Sequence, residues 1–425
     1  SKALLAAAKT AQGFREAGAF GIAAMEPQVD FSAVQAHVRD VIGTIEPHDS
    51  VARFEGLGVK VFRGAARFKN STTIEVNGQE ITARHFAIAT GSRAVIPKIA
   101  GLDPQKVLTN ENIFELREKP EHLIIIGGGP IGMEMAQAHR RLGCAVTVLD
   151  MGTVLPKDDQ ALAAIVRGAL EEEGVTIIER AHIREVIHGT EDITVHIEKD
   201  DAQRVITGSH IMAAAGRAVN VDGLGLEQAG VAYDAKGIRT DKRLRTSRKH
   251  IFAAGDVTGG PQFTHVAGYH AGIIIRNIIF KIPAKVNYSA LPWVTYTDPE
   301  LAHAGMTEAV ARAAHGDDTK TVTWKLKEND RAQAERRTDG MIKVVTRGNG
   351  RIIGASIAAP GAGEMIGLWT LAISQKMKIG AVAGMIAPYP TISEISKRAA
   401  GVFYTPALFS ARTRRITGLL RKLPF

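Results

Sequence analysis

The first 55 or so residues are alanine-rich stretches broken by Gly13, Gly18 and Gly21, and they read as helical. From Val59 the apolar period drops to two. Val59 to Phe62, Thr72 to Val76 and Gln79 to Thr82 read as strands, with Asn77-Gly78 as a hairpin turn. His85 to Ala89 predicts a short buried strand running into Thr90-Gly91-Ser92-Arg93, after which Pro97 and Pro104 mark an irregular connection. A new pattern begins near Lys119-Pro120. The fully apolar run Leu123 to Ile126 predicts a buried strand, followed by glycines and a helix from about Ile131 to Leu142. Ala145 to Leu149 predicts the next strand, Asp159 to Glu173 a helix, and Val175 to Ile178 another strand. Such alternation predicts a parallel sheet with helices packed over it. Ile193 to Ile197 and Arg204 to Thr207 predict a meander leading to the strand His210 to Met212, and Ile251 to Asp256 holds one more short buried strand. From Leu291 onward the pattern becomes hairpin strands and helices without a glycine-rich turn.

The 425 residues predict about three domains at roughly 150 residues each. A hydrophobic share of 45% and a charged share of 23% exclude wholesale disorder. The one cysteine, Cys144, excludes a disulfide scaffold, a multi-cysteine zinc site and an internal dithiol, and fits a reducing compartment. The net charge of +9 is scattered except at the end, where Arg412, Arg414, Arg415, Arg421 and Lys422 cluster. That distribution implies a soluble protein with a basic tail and no nucleic-acid partner. No run reaches the roughly 18 apolar residues of a membrane span, since Ala271 to Ile282 is broken by Arg276 and Lys281. Without a secretory signal the expected location is cytoplasmic. The chain opens at Ser1 without an initiator methionine, which reads as a truncated start.

The sharpest chemical signal is Gly127-Gly128-Gly129-Pro130-Ile131-Gly132, a G-x-G-x-x-G between an apolar strand and an amphipathic helix. Gly127 permits a tight turn, Gly129 lets the backbone approach a pyrophosphate, and Gly132 lets helix and strand pack closely. The helix N-terminus then offers free N–H groups to the phosphates. Asp150 ends the next strand, where its carboxylate would accept from a ribose 2′-hydroxyl and repel a 2′-phosphate, so NADH is expected over NADPH. A second pair of segments belongs together: the strand into Thr90, Gly91 and Ser92, and Ile251 to Val257, whose Gly255-Asp256 ends a strand. An aspartate there can bind a sugar-like polyol.

These motifs resemble those of the flavoprotein pyridine nucleotide-disulfide oxidoreductases, the group that includes lipoamide dehydrogenase, glutathione reductase and mercuric reductase. The resemblance covers the A-T-G-S turn, the G-G-G-P-I-G motif, Ala215-Gly216-Arg217, the A-A-G-D-V segment and Thr297-Asp298-Pro299-Glu300. It implies an α/β fold with two Rossmann-like nucleotide-binding domains and an α+β dimerisation domain. The implied FAD-binding domain spans 1–118 and 245–288, the NAD-binding domain inserted in it 119–244, and the homodimer-forming domain 289–425. The resemblance gives Asp256 the ribityl chain of FAD, Ala66 the adenine side, Gly216 a place at the cofactors, and the helix from Phe263 through Ala267 the flavin pyrimidine ring. Lys2 resembles the lysine that follows the family's redox cysteines, and Glu134 its ion-pair partner beside flavin N5. His265 and His270 follow in that helix, and backbone groups, more than either imidazole, are expected to act there.

The family's first FAD strand, its own glycine motif and its C-x-x-x-x-C disulfide all precede the position matching Ser1. Cys144 is expected to be inert packing and no substitute for them. Tyr389 stands where many relatives have an acid–base histidine, while Glu394 is retained; mercuric reductase is similar in placing tyrosine there, but the C-terminal cysteine pair of that enzyme is absent. The implied activity is hydride transfer from NADH to FAD and on to a disulfide or metal-thiolate acceptor in an intact parent. The alternatives are an NADH oxidase or quinone reductase without a thiol step, and a non-catalytic nucleotide-binding fragment. The amphipathic tail from Phe409 to Leu423 is expected to pack over a partner subunit in preference to a membrane surface.

Overall fold

A computed structural model of the protein describes residues 1–423. Helix α1 (Lys2–Glu16) buries Leu4, Ala8 and Ala11, a stripe at helical spacing. Helix α2 (Phe31–Ile45) starts where the Asp30 carboxylate accepts the Ala33 N–H. Strands β1 (Arg67–Asn70), β2 (Thr73–Val76) and β3 (Gln79–Thr82) form an antiparallel sheet turned at Asn77 and Gly78, both with positive φ. The strand expected at Val59 to Phe62 is not formed, and Val59 and Phe62 lie exposed. Alternation records a two-faced segment, but a strand also needs a neighbouring strand, and none among the described residues pairs with this one; the Val59 N–H instead closes onto Phe54 O. Strand β4 (Phe86–Ile88) leads through Gly91 into β5 (Ser92–Ala94).

The apolar run forms β6 (His122–Ile126), buried from Leu123 to Ile126, and the glycine turn leads into α3 (Pro130–Arg141). Strand β7 (Ala145–Leu149), helix α4 (Gln160–Glu172) capped by Asp159, and strand β8 (Thr176–Ile178) follow. The meander β9 (His182–His188), β10 (Ile193–Lys199) and β11 (Ala202–Gly208) is antiparallel, and β12 (His210–Ala213) returns to β6. The resulting parallel sheet, in the order β12-β6-β7-β8, is buried on both faces, which explains its continuous apolar strands. Strand β13 (Arg217–Val219) pairs with β5, and β14 (Ile251–Ala253) runs parallel to β4 in a two-stranded sheet. Helix α5 (Thr264–Ile278) follows.

The carboxy-terminal unit is an antiparallel sheet of β15 (Pro292–Thr295), β16 (Glu300–Gly305), β17 (Thr319–Lys325), β18 (Met341–Arg347) and β19 (Ile352–Ala359), in the order β15-β16-β19-β18-β17. Helix α6 (Ala362–Ser374) packs on it around the fully buried Trp369, and α7 (Glu394–Val402) and α8 (Ala411–Leu420) end the chain. No helix among the described residues is long and apolar enough to cross a membrane.

Two polar contacts bolt the parallel-sheet unit to this sheet. In the first, Gln137 of α3 donates to Asp298 O at 2.8 Å and accepts the Asp298 N–H at 2.7 Å, while Arg141 bonds Glu173 at 2.7 Å and Asp298 Oδ2 at 3.2 Å. Burial works against the Asp298 carboxylate, yet Arg337 and Arg141 hold it below the usual carboxylate range. In the second, Trp293 Nε1 donates to the buried Asp158 at 2.8 Å, and Lys343 bonds Asp159 at 2.6 Å and Glu308 at 3.1 Å.

Both contacts yield stability tests. Arg141→Met removes a buried cation and leaves the half-buried Glu173 carboxylate without it, and a loss of about 3 kcal/mol in chemical denaturation is expected. Burial pushes the Asp158 carboxyl up to about 6. A carboxyl raised on folding contributes stability that is complete below its unfolded value of about 4 and lost as pH climbs through its folded value. Asp158→Asn keeps an acceptor for Trp293 and never ionises. The variant is therefore expected to melt higher than the parent at pH 7 to 8, by on the order of 2–3 kcal/mol, with the gap closing near pH 4. A gap constant across pH contradicts the assignment.

Candidate functional site

The glycine turn after β6 is shaped by close backbone approaches. Gly127 has φ 111°, and a Cβ on Gly132 would lie 1.9 Å from Gly127 O, so neither position accepts a side chain. A Cβ on Gly129 would meet nothing within 4 Å, which leaves this residue facing open space at the start of α3. Asp150, at the end of β7, accepts the Gly128 N–H at 2.7 Å through Oδ2 and the Gly152 N–H at 2.7 Å through Oδ1. Both oxygens thus stitch the two turns together, and a carboxylate's remaining lone pairs stay free for a ligand hydroxyl. A closed turn with one open glycine at a helix N-terminus fits the pyrophosphate and ribose of NAD.

A second constellation lies where β4 and β14 end. Ser92 Oγ donates to Asp256 Oδ2 at 2.5 Å, and Arg217 donates to Ser92 Oγ at 2.7 Å and to Ser92 O at 2.8 Å. The Arg217 guanidinium also lies 3.6 Å from Asp256. Thr90 donates to Asn220 O at 2.7 Å, Gly91 takes φ 68°, and Gly216 takes φ 119°, so the two turns interlock. Gly255 is left-handed, and a Cβ there would come 3.1 Å from that of Ala267 on α5. His270 accepts the Gly255 N–H on Nδ1 at 3.0 Å. Nε2 therefore carries the proton and donates to Tyr288 Oη at 2.6 Å. Burial holds this imidazole below its ordinary value, so His270 is a neutral brace of the Asp256 turn and no base. His265 bonds Pro292 O at 3.0 Å. Ala66 lies exposed before β1, and Asn77 bonds the carbonyl of Arg63 nearby.

Lys2 and Glu134, 132 positions apart, form an ion pair at 2.8 Å. The packing of α1 on α3 brings them together. The Lys2 ammonium also sits 3.8 Å above the Tyr296 ring, and the other oxygen of Glu134 accepts the Tyr296 N–H at 3.0 Å. A cleft of about 680 Å³ beside Tyr296 is lined by Thr264 and His265 at the N-terminus of α5 and by Trp293, Gly363 and Thr370. An acceptor carboxylate, glycines that allow close approach, a fixed cation and a helix N-terminus form a donor set that fits the polyol and ring system of a flavin.

The structure does not join every expected pair. Tyr389 is 66% exposed and donates to Asp330 at 2.7 Å, whose carboxylate holds the phenol above its ordinary range. Glu394 is buried and accepts from Arg398 at 2.9 Å. No hydrogen bond links the two. Cys144 is buried at the start of β7, and burial pushes its thiol up to about 12, so it stays protonated. Sequence reasoning missed Tyr296 and Gln137, and it named His270 without foreseeing its bond to Gly255. Of these, only Tyr296 carried a signal, by adjoining Thr297-Asp298-Pro299-Glu300.

Comparison with known proteins agrees with this geometry. A mercuric reductase of Streptomyces lividans is 35% identical over 411 residues, which cover 95% of this chain and 86% of that protein. A dihydrolipoyl dehydrogenase of Geobacillus stearothermophilus is 34% identical over 414 residues, with the same two shares. Among solved structures, LpdA of Mycobacterium tuberculosis superposes with a TM-score of 0.85 at 26% identity, covering 94% of this chain and 88% of that one. The HOCl-induced flavoprotein disulfide reductase RclA of Escherichia coli superposes with a TM-score of 0.82 at 27% identity, with the same coverage. Residues 1–271 match the pyridine nucleotide-disulphide oxidoreductase family, and residues 291–400 match its dimerisation domain. The chain therefore belongs to the pyridine nucleotide-disulphide oxidoreductases, a family of FAD-dependent NAD(P)H oxidoreductases.

Proposed function

We propose that this protein is an NADH-specific member of that family, which passes electrons to a disulfide or metal-thiolate acceptor at the interface of a homodimer. The observation that carries the reading is the continuity of α3. It begins at the glycine turn and, two residues after Gly132, presents Glu134 to Lys2. FAD, when bound, supplies a two-electron acceptor for the nicotinamide hydride and a donor to the next acceptor. Gly127, Gly129 and the α3 N-terminus hold the NAD pyrophosphate, and Asp150 accepts from the adenosine ribose. Ser92 and Arg217 fix the Asp256 carboxylate, which takes a polyol hydroxyl, with Thr90, Gly91 and Gly216 in the adjoining turns. Ala66 contacts the adenine side, and Ala267 lies in the helix turned to the ring. Lys2, held by Glu134 and Tyr296, keeps a positive charge where negative charge develops. Tyr389 and Glu394 line the acceptor site.

A second reading, direct oxidation by a quinone or oxygen without a thiol step, is favoured by one observation: Cys144, the sequence's only thiol, is buried and protonated. NADH oxidation by the FAD-loaded protein separates the two. Turnover with an added disulfide supports the first reading, and turnover with a soluble quinone or oxygen but not with the disulfide supports the second.

The nucleotide preference has its own test. Arg180, bonded through its backbone to Gly152, turns its guanidinium toward Asp200 at 3.9 Å. Asp150→Asn removes the charge that repels a 2′-phosphate, and the ratio of NADH to NADPH affinity measured by calorimetry is expected to narrow about tenfold. Equal weakening of both nucleotides would mean that Asp150 acts only through its backbone bonds.

A further inference from the structure

The match to the family's dimerisation domain ends at residue 400, and the chain continues for 25 residues. Residues 401–425 contain five basic residues and no acidic one, so this stretch holds five of the protein's nine net positive charges. Within it, α8 begins at Ser410, whose hydroxyl accepts the Thr413 N–H. At 100° per residue, Ile416, Leu419 and Leu420 fall within a stripe about 100° wide that also takes in Arg412 in the first turn, and Leu423 follows just past the helix end. Arg414 lies on the opposite side, Arg415 flanks the stripe, and Arg421 and Lys422 follow the last turn. All four apolar side chains are between 45% and 67% exposed, and Thr413 is the one residue of α8 that is even half-buried. Within one protomer the apolar face of the helix is uncovered.

We propose that α8 is a membrane-surface helix that lays its apolar stripe into the interface of an anionic lipid bilayer. A ten-residue helix in water is marginal and gains little from propensity alone, so its uncovered Ile416, Leu419 and Leu420, with Leu423 just beyond, call for an apolar phase. Charge selects which phase. The tail around the stripe carries Arg412, Arg414, Arg415, Arg421 and Lys422 and no acidic residue, so the surface it complements is an anionic one. An anionic bilayer offers opposite charge at the headgroups and hydrocarbon just beneath, the two environments that the two faces of α8 require. At 1.5 Å per residue the helix is about 15 Å long, half the hydrocarbon thickness, so it lies on the bilayer and does not span it. Reduced cofactor would then be held close to acceptors dissolved in or exposed at the membrane, although the lipid contact itself stands independently of the catalytic reading.

The test is flotation of the full chain with vesicles of pure phosphatidylcholine and with vesicles carrying phosphatidylglycerol at roughly 70:30, in about 0.1 M and about 0.5 M salt. The parent protein is expected to float with the anionic vesicles at low salt and to stay behind with the neutral ones. Leu419→Glu with Leu420→Glu, and separately Arg414→Glu with Arg415→Glu, are expected to lower partitioning at least about tenfold. Neither pair touches the core, so melting temperature and native mass are expected to stay unchanged. Three results would overturn the proposal. The parent could fail to float with anionic vesicles. The leucine variant could float as well as the parent, leaving mere adsorption of a basic patch. The leucine variant could change native mass, which would make the stripe a contact between copies of this chain.

Discussion

Helix α3 leaves the glycine turn with nearly every residue from Gly132 to Arg141 buried, and three of its polar side chains end on residues 296–298 of the neighbouring unit. Glu134 takes the Tyr296 N–H, Gln137 brackets the backbone of Asp298, and Arg141 meets the Asp298 carboxylate. The spacing is three and four residues, which places all three on one side of the helix. The nucleotide turn, the Lys2 ammonium and the antiparallel sheet consequently share one rigid strut. A buried carboxylate such as Glu134 is tolerable because Lys2 and a backbone N–H both satisfy it.

On the proposed reading, that strut registers the glycine turn against the Lys2–Glu134 pair. The Asp256 turn is braced from a different direction, by His270 beneath Gly255 and by the Ser92–Arg217 pair beside the carboxylate. Each brace is an uncharged or internally neutralised contact, so both sites keep their geometry without leaving unpaired charge in the interior. On the proposed reading the chemistry rests on few groups: the Lys2 ammonium, the Asp256 carboxylate and two helix N-termini.

Much of this architecture was legible in the sequence because it is local. An all-apolar strand, a glycine turn and an amphipathic helix lie within 20 consecutive residues, and β6, the turn and α3 appear within a residue or two of their expected bounds. Val59 to Phe62 failed because alternation says nothing about who sits alongside. Lys2–Glu134 was reachable only through family resemblance, since no local rule joins residues 132 positions apart. The contacts of Gln137 with Asp298, Trp293 with Asp158 and His270 with Gly255 carried no sequence signal at all. Each depends on how separate units dock. Tyr389 and Glu394 were paired through the family resemblance, yet Asp330 and Arg398 bond them, because polar side chains bond whatever the fold places nearest.

The central claim is that the Lys2–Glu134 pair, registered by α3, governs electron entry from the nicotinamide. The most direct measurement is anaerobic stopped-flow mixing of the FAD-loaded protein with NADH, comparing the parent with Glu134→Gln and following loss of the flavin visible band. Glutamine keeps an acceptor for the Tyr296 N–H but gives Lys2 no counter-charge. The account predicts reduction slower by about 100-fold, roughly 3 kcal/mol of barrier, with NADH affinity changed by no more than about threefold. Equal reduction rates in the two proteins, or a rate loss matched by an equal loss of NADH affinity, would contradict it.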